Sequence, residues 1–213
     1  MSASDELLTK LLEAHPRLAA CRDEIAAARD HLVKAYEQGH KLLLCGNGGS
    51  AADCEHIAGE LLKGFERRRP LRAETKERLA SQGAEGRVLA EGLQQALPAL
   101  SLVGHISLAT AFANDVDARL VFAQLVTAWG SPGDVLLAIS TSGEARNVIL
   151  AARAARALGL VTIGLTGRDG GGLGPLCDVW VRVPAASTAE AQELHVPVYH
   201  YLCRALEARF FPE

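Results

Sequence analysis

The sequence predicts an α/β fold of the doubly wound kind: a single parallel sheet of about five strands, helices on both faces, and N-terminal helices ahead of it. Three observations carry this. Short continuous apolar runs, such as Lys41 to Cys45 and Asp134 to Ile139, read as strands buried on both faces, which is how strands of a parallel sheet look. These runs alternate with stretches of helical periodicity, the pattern of βαβ units. Two of them end in glycine- or serine-rich turns that lead directly into helices, the placement of ligand turns in open α/β sheets. The 213 residues fill one core and fall short of two, so 1–213 is read as a single domain.

The elements follow in order. Leu7, Leu8, Leu11 and Leu12 repeat at helical spacing until Pro16 ends the pattern. A second helix is expected from about Ala20 to Glu37, with Gly39 as its stop. Residues 1–38 thus form N-terminal helices, and their leucines suggest oligomer packing. After the strand at 41–45, further strands are expected at 99–103, 134–139, 161–165 and 178–183. The last alternates in character and reads as an edge strand. Helices are expected at 54–62, 106–112, 120–129, 145–158 and 189–210. Pro197 must lie in the first turn of the last helix or kink it. Residues 66–98 form an inserted polar segment that opens with Glu66-Arg67-Arg68-Arg69-Pro70. Leu89, Leu93, Ala96 and Leu97 suggest one amphipathic helix within it. The segment reads as a surface excursion, or as a basic lid over an anionic substrate.

Composition excludes several classes. With 49 % apolar residues the chain is not disordered, and its net charge of −3, from 22 basic and 25 acidic residues, gives no footprint for nucleic acid or an anionic membrane. No apolar run approaches the roughly 20 residues of a membrane span. Met1 to Glu6 lacks the basic start and apolar stretch of a signal peptide. The five cysteines are odd in number and contain no C-x-x-C, so reduced thiols in a cytoplasmic protein are expected.

Cys45-Gly-Asn-Gly-Gly-Ser50 joins the first strand to a helix. Its glycines let a ligand approach the backbone, Asn47 and Ser50 add polar side chains, and the helix N-terminus favours an anion. Ser140-Thr-Ser-Gly143 has the same placement after the third strand. A plain helix cap needs one hydroxyl, whereas three in a row suit a tetrahedral phosphate.

His56 and Glu60, four residues apart, share a helix face. Such a pair can be metal ligands, an acid–base pair or a solvated ion pair. Gln192, His195 and His200 add nitrogen and oxygen donors near the C-terminus, which makes a metal site plausible. In a straight helix, Gln192 and His200 stand roughly 12 Å apart along the axis. One ion therefore requires converging side chains, a bend near Pro197, or donors from different subunits.

With these residues in hand, the chain resembles the SIS family of sugar isomerase domains, and more narrowly its phosphoheptose isomerases. The resemblance covers nearly the whole chain. It rests on Cys45 to Asp53, His56-x-x-x-Glu60, Asn114-Asp115, Gly133 to Gly143, Leu165-Thr-Gly167, and Gln192-Glu-x-His-x-x-x-x-His200. It implies a flavodoxin-like SIS fold and a homotetramer with active sites at subunit interfaces. Ser50, Ser140, Thr141 and Ser142 would hold phosphate, and Asn47, Gly48, Asp115 and Gln192 would complete the substrate site. One zinc per active site would bind His56, Glu60, Gln192 and His200, with Glu60 and His200 as the acid–base pair. The implied reaction converts sedoheptulose 7-phosphate to D-glycero-D-manno-heptose 7-phosphate through an enediol. The resemblance also admits isomerisation of a related sugar phosphate, or a non-catalytic member that senses sugar phosphate or binds a replication initiator. The chain departs from the family pattern at Glu144-Ala145, where Asn-Ser is usual. One hydroxyl is lost and one negative charge gained beside the phosphate turn.

Overall fold

The structure is a computed structural model that describes residues 3–212. Its described strands are β1 (Leu42–Gly46), β2 (Ala99–Ser101), β3 (Val135–Ile139), β4 (Val161–Thr166) and β5 (Val179–Arg182). They form one sheet in the order β2-β1-β3-β4-β5, and every pairing is parallel. This is the flavodoxin-like order, with its switch point between β1 and β3. β1 and β3 are central and buried along their whole length, as their unbroken apolar runs predict. β5 is one of the two edge strands, with β2 the other, and its burial alternates as expected there.

Side-chain alternation divides the core into two layers. Leu42, Leu44, Val135, Leu137 and Ile139 face α1 (Ala3–Ala14), α2 (Arg22–Glu37), α3 (Gly49–Leu62) and α9 (Thr188–Phe210). Leu43, Cys45, Leu136 and Ala138 face α7 (Val121–Trp129) and α8 (Arg146–Ala157). The leucines of α1 are used within the chain. Leu8 and Leu11 are buried against the same cluster as α9, so this stripe does not by itself call for a second subunit. Pro16 opens a 3-10 turn, Pro16–Cys21, ahead of α2.

The inserted segment departs from expectation. Instead of one helix through Leu89 and Leu97 it holds two, α4 (Ala73–Ala80) and α5 (Gly83–Gly92), packed on each other. α5 stops at Gly92, and Leu93 is already extended, with φ −77° and ψ 152°. Gln94 then pairs with Pro70 in an antiparallel bridge, and its side chain accepts the Gly64 N–H at 2.6 Å, closing the neck of the excursion. Leu97 is buried, whereas Val88, Leu89 and Leu93 are exposed. Arg69 is no lid residue. It is fully buried in an ion pair with Glu207, Nε to Oε1 at 2.8 Å. Its guanidinium also donates to the carbonyls of Leu61 and Glu60, at 2.7 and 3.0 Å, which caps the end of α3. Glu207 accepts the backbone N–H groups of Phe65, Glu66 and Arg67 as well. Burial pushes the Glu207 carboxyl up, but these backbone donors and Arg69 outweigh it and hold the group below its ordinary value.

α9 runs unbroken through Pro197, ten positions into the helix rather than in its first turn. The remaining helix, α6 (Ile106–Phe112), continues into a π turn at Ala113–Asp117 and a 3-10 turn at Ala118–Leu120.

Candidate active site

Both ligand turns lie at the carboxyl ends of the central strands, flanking the switch point. After β1, Gly48 adopts φ +56°, open to glycine but strained for other residues, and α3 begins at once at Gly49. The helix therefore starts five residues before the apolar pattern indicated, because the glycines carry its first turn. Ser50 is buried there, and Asn47 and Gly48 are exposed. A Cβ on Gly49 would overlap the Gln192 side chain, so this glycine lets the start of α9 lie against the start of α3.

After β3, Ser140 is buried, and its Oγ accepts the Gly143 N–H at 3.1 Å, while Ser142 Oγ accepts the Glu144 N–H at 3.2 Å. Gly143, at φ +71°, packs so tightly against Gly170 that a side chain would not fit. Glu144 turns to the neighbouring loop, where its Oε1 accepts the Gly172 N–H at 2.9 Å. Thr141, Ser142, Glu144, Arg168 and Ser187 line a cleft of about 350 Å³. Arg168 supplies a cation to this cleft and the N-terminus of α9 a partial positive charge, while Glu144 and Asp169 oppose an anion. Sequence reasoning missed Asn147. Its amide exchanges two hydrogen bonds of 2.9 Å with Asn47, tying the two turns together across the switch point. A short polar residue in the first turn after Ser140-Thr-Ser-Gly143 was the only available signal. Asp115 lies on the exposed π turn after α6, where it accepts from Asn114 at 2.9 Å.

The second cluster lies further along α3 and α9. His56 Nε2 stands 3.4 Å from Glu60 Oε1, and Lys63 Nζ binds the other Glu60 oxygen at 2.8 Å. The rings of His56 and His200 are 5.1 Å apart and perpendicular. His200 Nε2 is buried with no hydrogen-bond partner among the described residues. Burial first, then the neighbouring His56, pushes His200 below the ordinary histidine value, so it favours the neutral ring. Two further residues were not among the expected site residues, Tyr199 and Asp53, the latter the last residue of the glycine-turn motif. Tyr199 Oη lies 3.1 Å from His56 Nδ1 and donates to Asp53 Oδ1 at 3.3 Å. His195, by contrast, is a core residue, fully buried and pushed down to about 4 by that burial.

The structure thus brings together His56, Glu60 and His200 but leaves Gln192 at the start of α3, beside Gly49. These side chains supply nitrogen and oxygen donors of the kind zinc takes. Yet no group of three or more His, Cys, Asp or Glu among the described residues of one chain is arranged to hold a metal ion.

Known proteins resemble this chain in both sequence and fold. The SIS domain model matches residues 8–83 and 84–167. A phosphoheptose isomerase from a Roseiflexus species is 40 % identical over 189 residues, spanning 89 % of this chain and 83 % of that protein. The solved phosphoheptose isomerase from Neisseria gonorrhoeae superposes with a TM-score of 0.74 at 31 % identity, covering 94 % of each chain. The one from Francisella tularensis gives 0.75 at 30 %, covering 97 % of this chain and 98 % of that one. Both sequence and fold match over most of their length, and the chain belongs to the SIS domain family, among its phosphoheptose isomerases.

Proposed function

We propose that the chain is a sugar-phosphate isomerase that converts sedoheptulose 7-phosphate to D-glycero-D-manno-heptose 7-phosphate through an enediol. One observation carries this reading: a carboxylate, Glu60, lies 3.4 Å from His56 on α3, whose ring packs on that of His200 on α9, in a chain whose sheet also presents two anion-type turns. Ser50, Ser140, Thr141 and Ser142 hold the phosphate, and Asn47, Gly48, Asp115 and Gln192 contact the sugar. Glu60 takes a proton from the carbon beside the carbonyl and returns it to the neighbouring carbon. His200, neutral at physiological pH, moves protons on the two oxygens.

The zinc implied by the family resemblance, one per site, would draw on His56, Glu60 and His200, with Gln192 reaching it from another copy. It would supply polarisation of the carbonyl. A homotetramer with interfacial sites fits the same geometry. Glu60 lies eleven residues beyond Gly49 on α3, roughly 16 Å down the axis, so phosphate turn and base of one chain stand at different levels of the helix. Exposed Leu62, Val88, Leu89 and Leu93 offer apolar surface for such contacts. No helix among the described residues is long and apolar enough to cross a membrane. Five free cysteines suit the reducing cytoplasm.

The test is a direct assay with sedoheptulose 7-phosphate in heavy water. Turnover with deuterium at C2 of the aldose supports the reading. Tight binding with neither turnover nor deuterium uptake replaces it with a sugar-phosphate sensor.

A further inference from the structure

We propose that Asn147 is a positioning residue: it holds the amide of Asn47 in one orientation, so that Asn47 meets the sugar with one N–H and one lone pair in fixed places. The two amides form a closed ring. Asn47 Nδ2 donates to Asn147 Oδ1, and Asn147 Nδ2 donates to Asn47 Oδ1, each at 2.9 Å. A third contact decides which way round the ring runs. The Val148 N–H, in the first turn of α8, donates to Asn147 Oδ1 at 3.0 Å. Turning one amide over would set oxygen against oxygen and nitrogen against nitrogen. Turning both over would set the Asn147 nitrogen, which can only donate, against the Val148 N–H. The observed arrangement alone satisfies all of these contacts.

The groups left over follow from the same count. An amide oxygen can accept twice and its nitrogen can donate twice. Asn147 uses both acceptor places, one for Asn47 and one for Val148, whereas Asn47 uses one acceptor and one donor place within the ring and keeps one of each. Asn47 is also the exposed member of the pair, and Asn147 is half-buried, so the ligand side of the clasp is Asn47. The Asn47 backbone is held as well, since its carbonyl accepts the Ser50 N–H at 3.0 Å where α3 begins. The clasp spans the turns after β1 and β3, the crevice where a doubly wound sheet takes its ligand. An unpaired amide on an exposed turn would have to be ordered by the ligand, and that ordering would weaken binding. The contact with sugar rests on the sugar-phosphate reading of the site, whereas the orientation of the Asn47 amide does not.

Calorimetric titration with sedoheptulose 7-phosphate and with inorganic phosphate tests this on the wild type, Asn147→Ala, Asn47→Ala and the double variant. Asn147→Ala should weaken sugar-phosphate binding about two- to tenfold, the scale of one hydrogen bond. It should leave inorganic phosphate, which has no sugar to meet Asn47, little changed. Because Asn147 acts through Asn47, the double variant should bind sugar phosphate no more weakly than Asn47→Ala alone. Asn147→Leu, which keeps the bulk of the side chain and suits a helix, should repeat the effect of alanine. Additive losses in the double variant, equal losses for the two ligands, or undiminished sugar-phosphate affinity in Asn147→Ala and Asn147→Leu overturns the proposal. The expected binding pattern in a protein without isomerase turnover overturns the isomerase reading and leaves this one standing, and full turnover with additive losses does the reverse.

Discussion

Replacing Glu207 with alanine should destabilise the protein by about 3–5 kcal/mol, the usual cost of breaking a buried ion pair from one side. The structure explains why the cost should be near the top of that range. Glu207 is 1 % exposed and receives four hydrogen bonds, one from Arg69 and three from the N–H groups of Phe65, Glu66 and Arg67. Alanine leaves a fully buried guanidinium without its counter-charge and three backbone donors unanswered, and each unsatisfied buried group costs about 1–3 kcal/mol. Some of that is recovered as the 64–69 loop relaxes toward water. Urea unfolding at neutral pH reads the change, and for a chain of this size the melting temperature should fall by roughly 6–20 °C. The pair has a pH signature too. The folded Glu207 carboxyl sits below its unfolded value, so its contribution is complete above the ordinary glutamate range near 4.3 and is lost as pH falls through the depressed folded value. Acid unfolding of Glu207→Gln should accordingly be shallower than that of the wild type. A loss under about 1 kcal/mol for Glu207→Ala would refute the reasoning, because it would mean that Arg69 and the loop find other partners at no cost.

Three further outcomes are expected. Replacing Ser140 and Ser142 together by alanine should weaken sugar-phosphate binding tenfold or more in calorimetric titration, since each hydrogen bond to a charged group contributes roughly 1.5–3 kcal/mol; unchanged affinity in a folded double variant removes these residues from the phosphate site. Glu144→Gln keeps an acceptor for the Gly172 N–H but removes a like charge from the cleft, so binding of the same phosphate should tighten, most visibly at low ionic strength. Glu60→Gln should lose about 10²–10⁴-fold in kcat while retaining substrate affinity, because an amide cannot take the proton; near-normal turnover would show that Glu60 is not the base.

Much of the fold was legible because its determinants are local. The unbroken apolar runs at Leu42–Gly46 and Val135–Ile139 had to be central strands, since a strand with a solvated face would alternate. The glycine and serine turns followed from backbone freedom and hydroxyl count, and the four-residue spacing of His56 and Glu60 put them on one helix face. The local signals were less decisive in two places. Leu8 and Leu11 of α1 are buried on this chain's own core while Leu7 and Leu12 are half-buried, so their spacing alone does not distinguish oligomer packing from internal packing, and the spacing of Leu89, Leu93 and Leu97 suggested a helix that Gly92 ends.

Tertiary packing decided the rest. Asn47 meets Asn147 across 100 residues, His56 meets Tyr199 across 143, and Arg69 meets Glu207 across 138. No periodicity within a segment encodes which side chains face each other across two packed elements. That depends on the register of α3 against α9 and on the side-by-side placement of β1 and β3. The same register leaves Gln192 beside Gly49 and brings His200 to His56, so the sequence determined which residues could do chemistry, while the packing of two helices decided which of them meet.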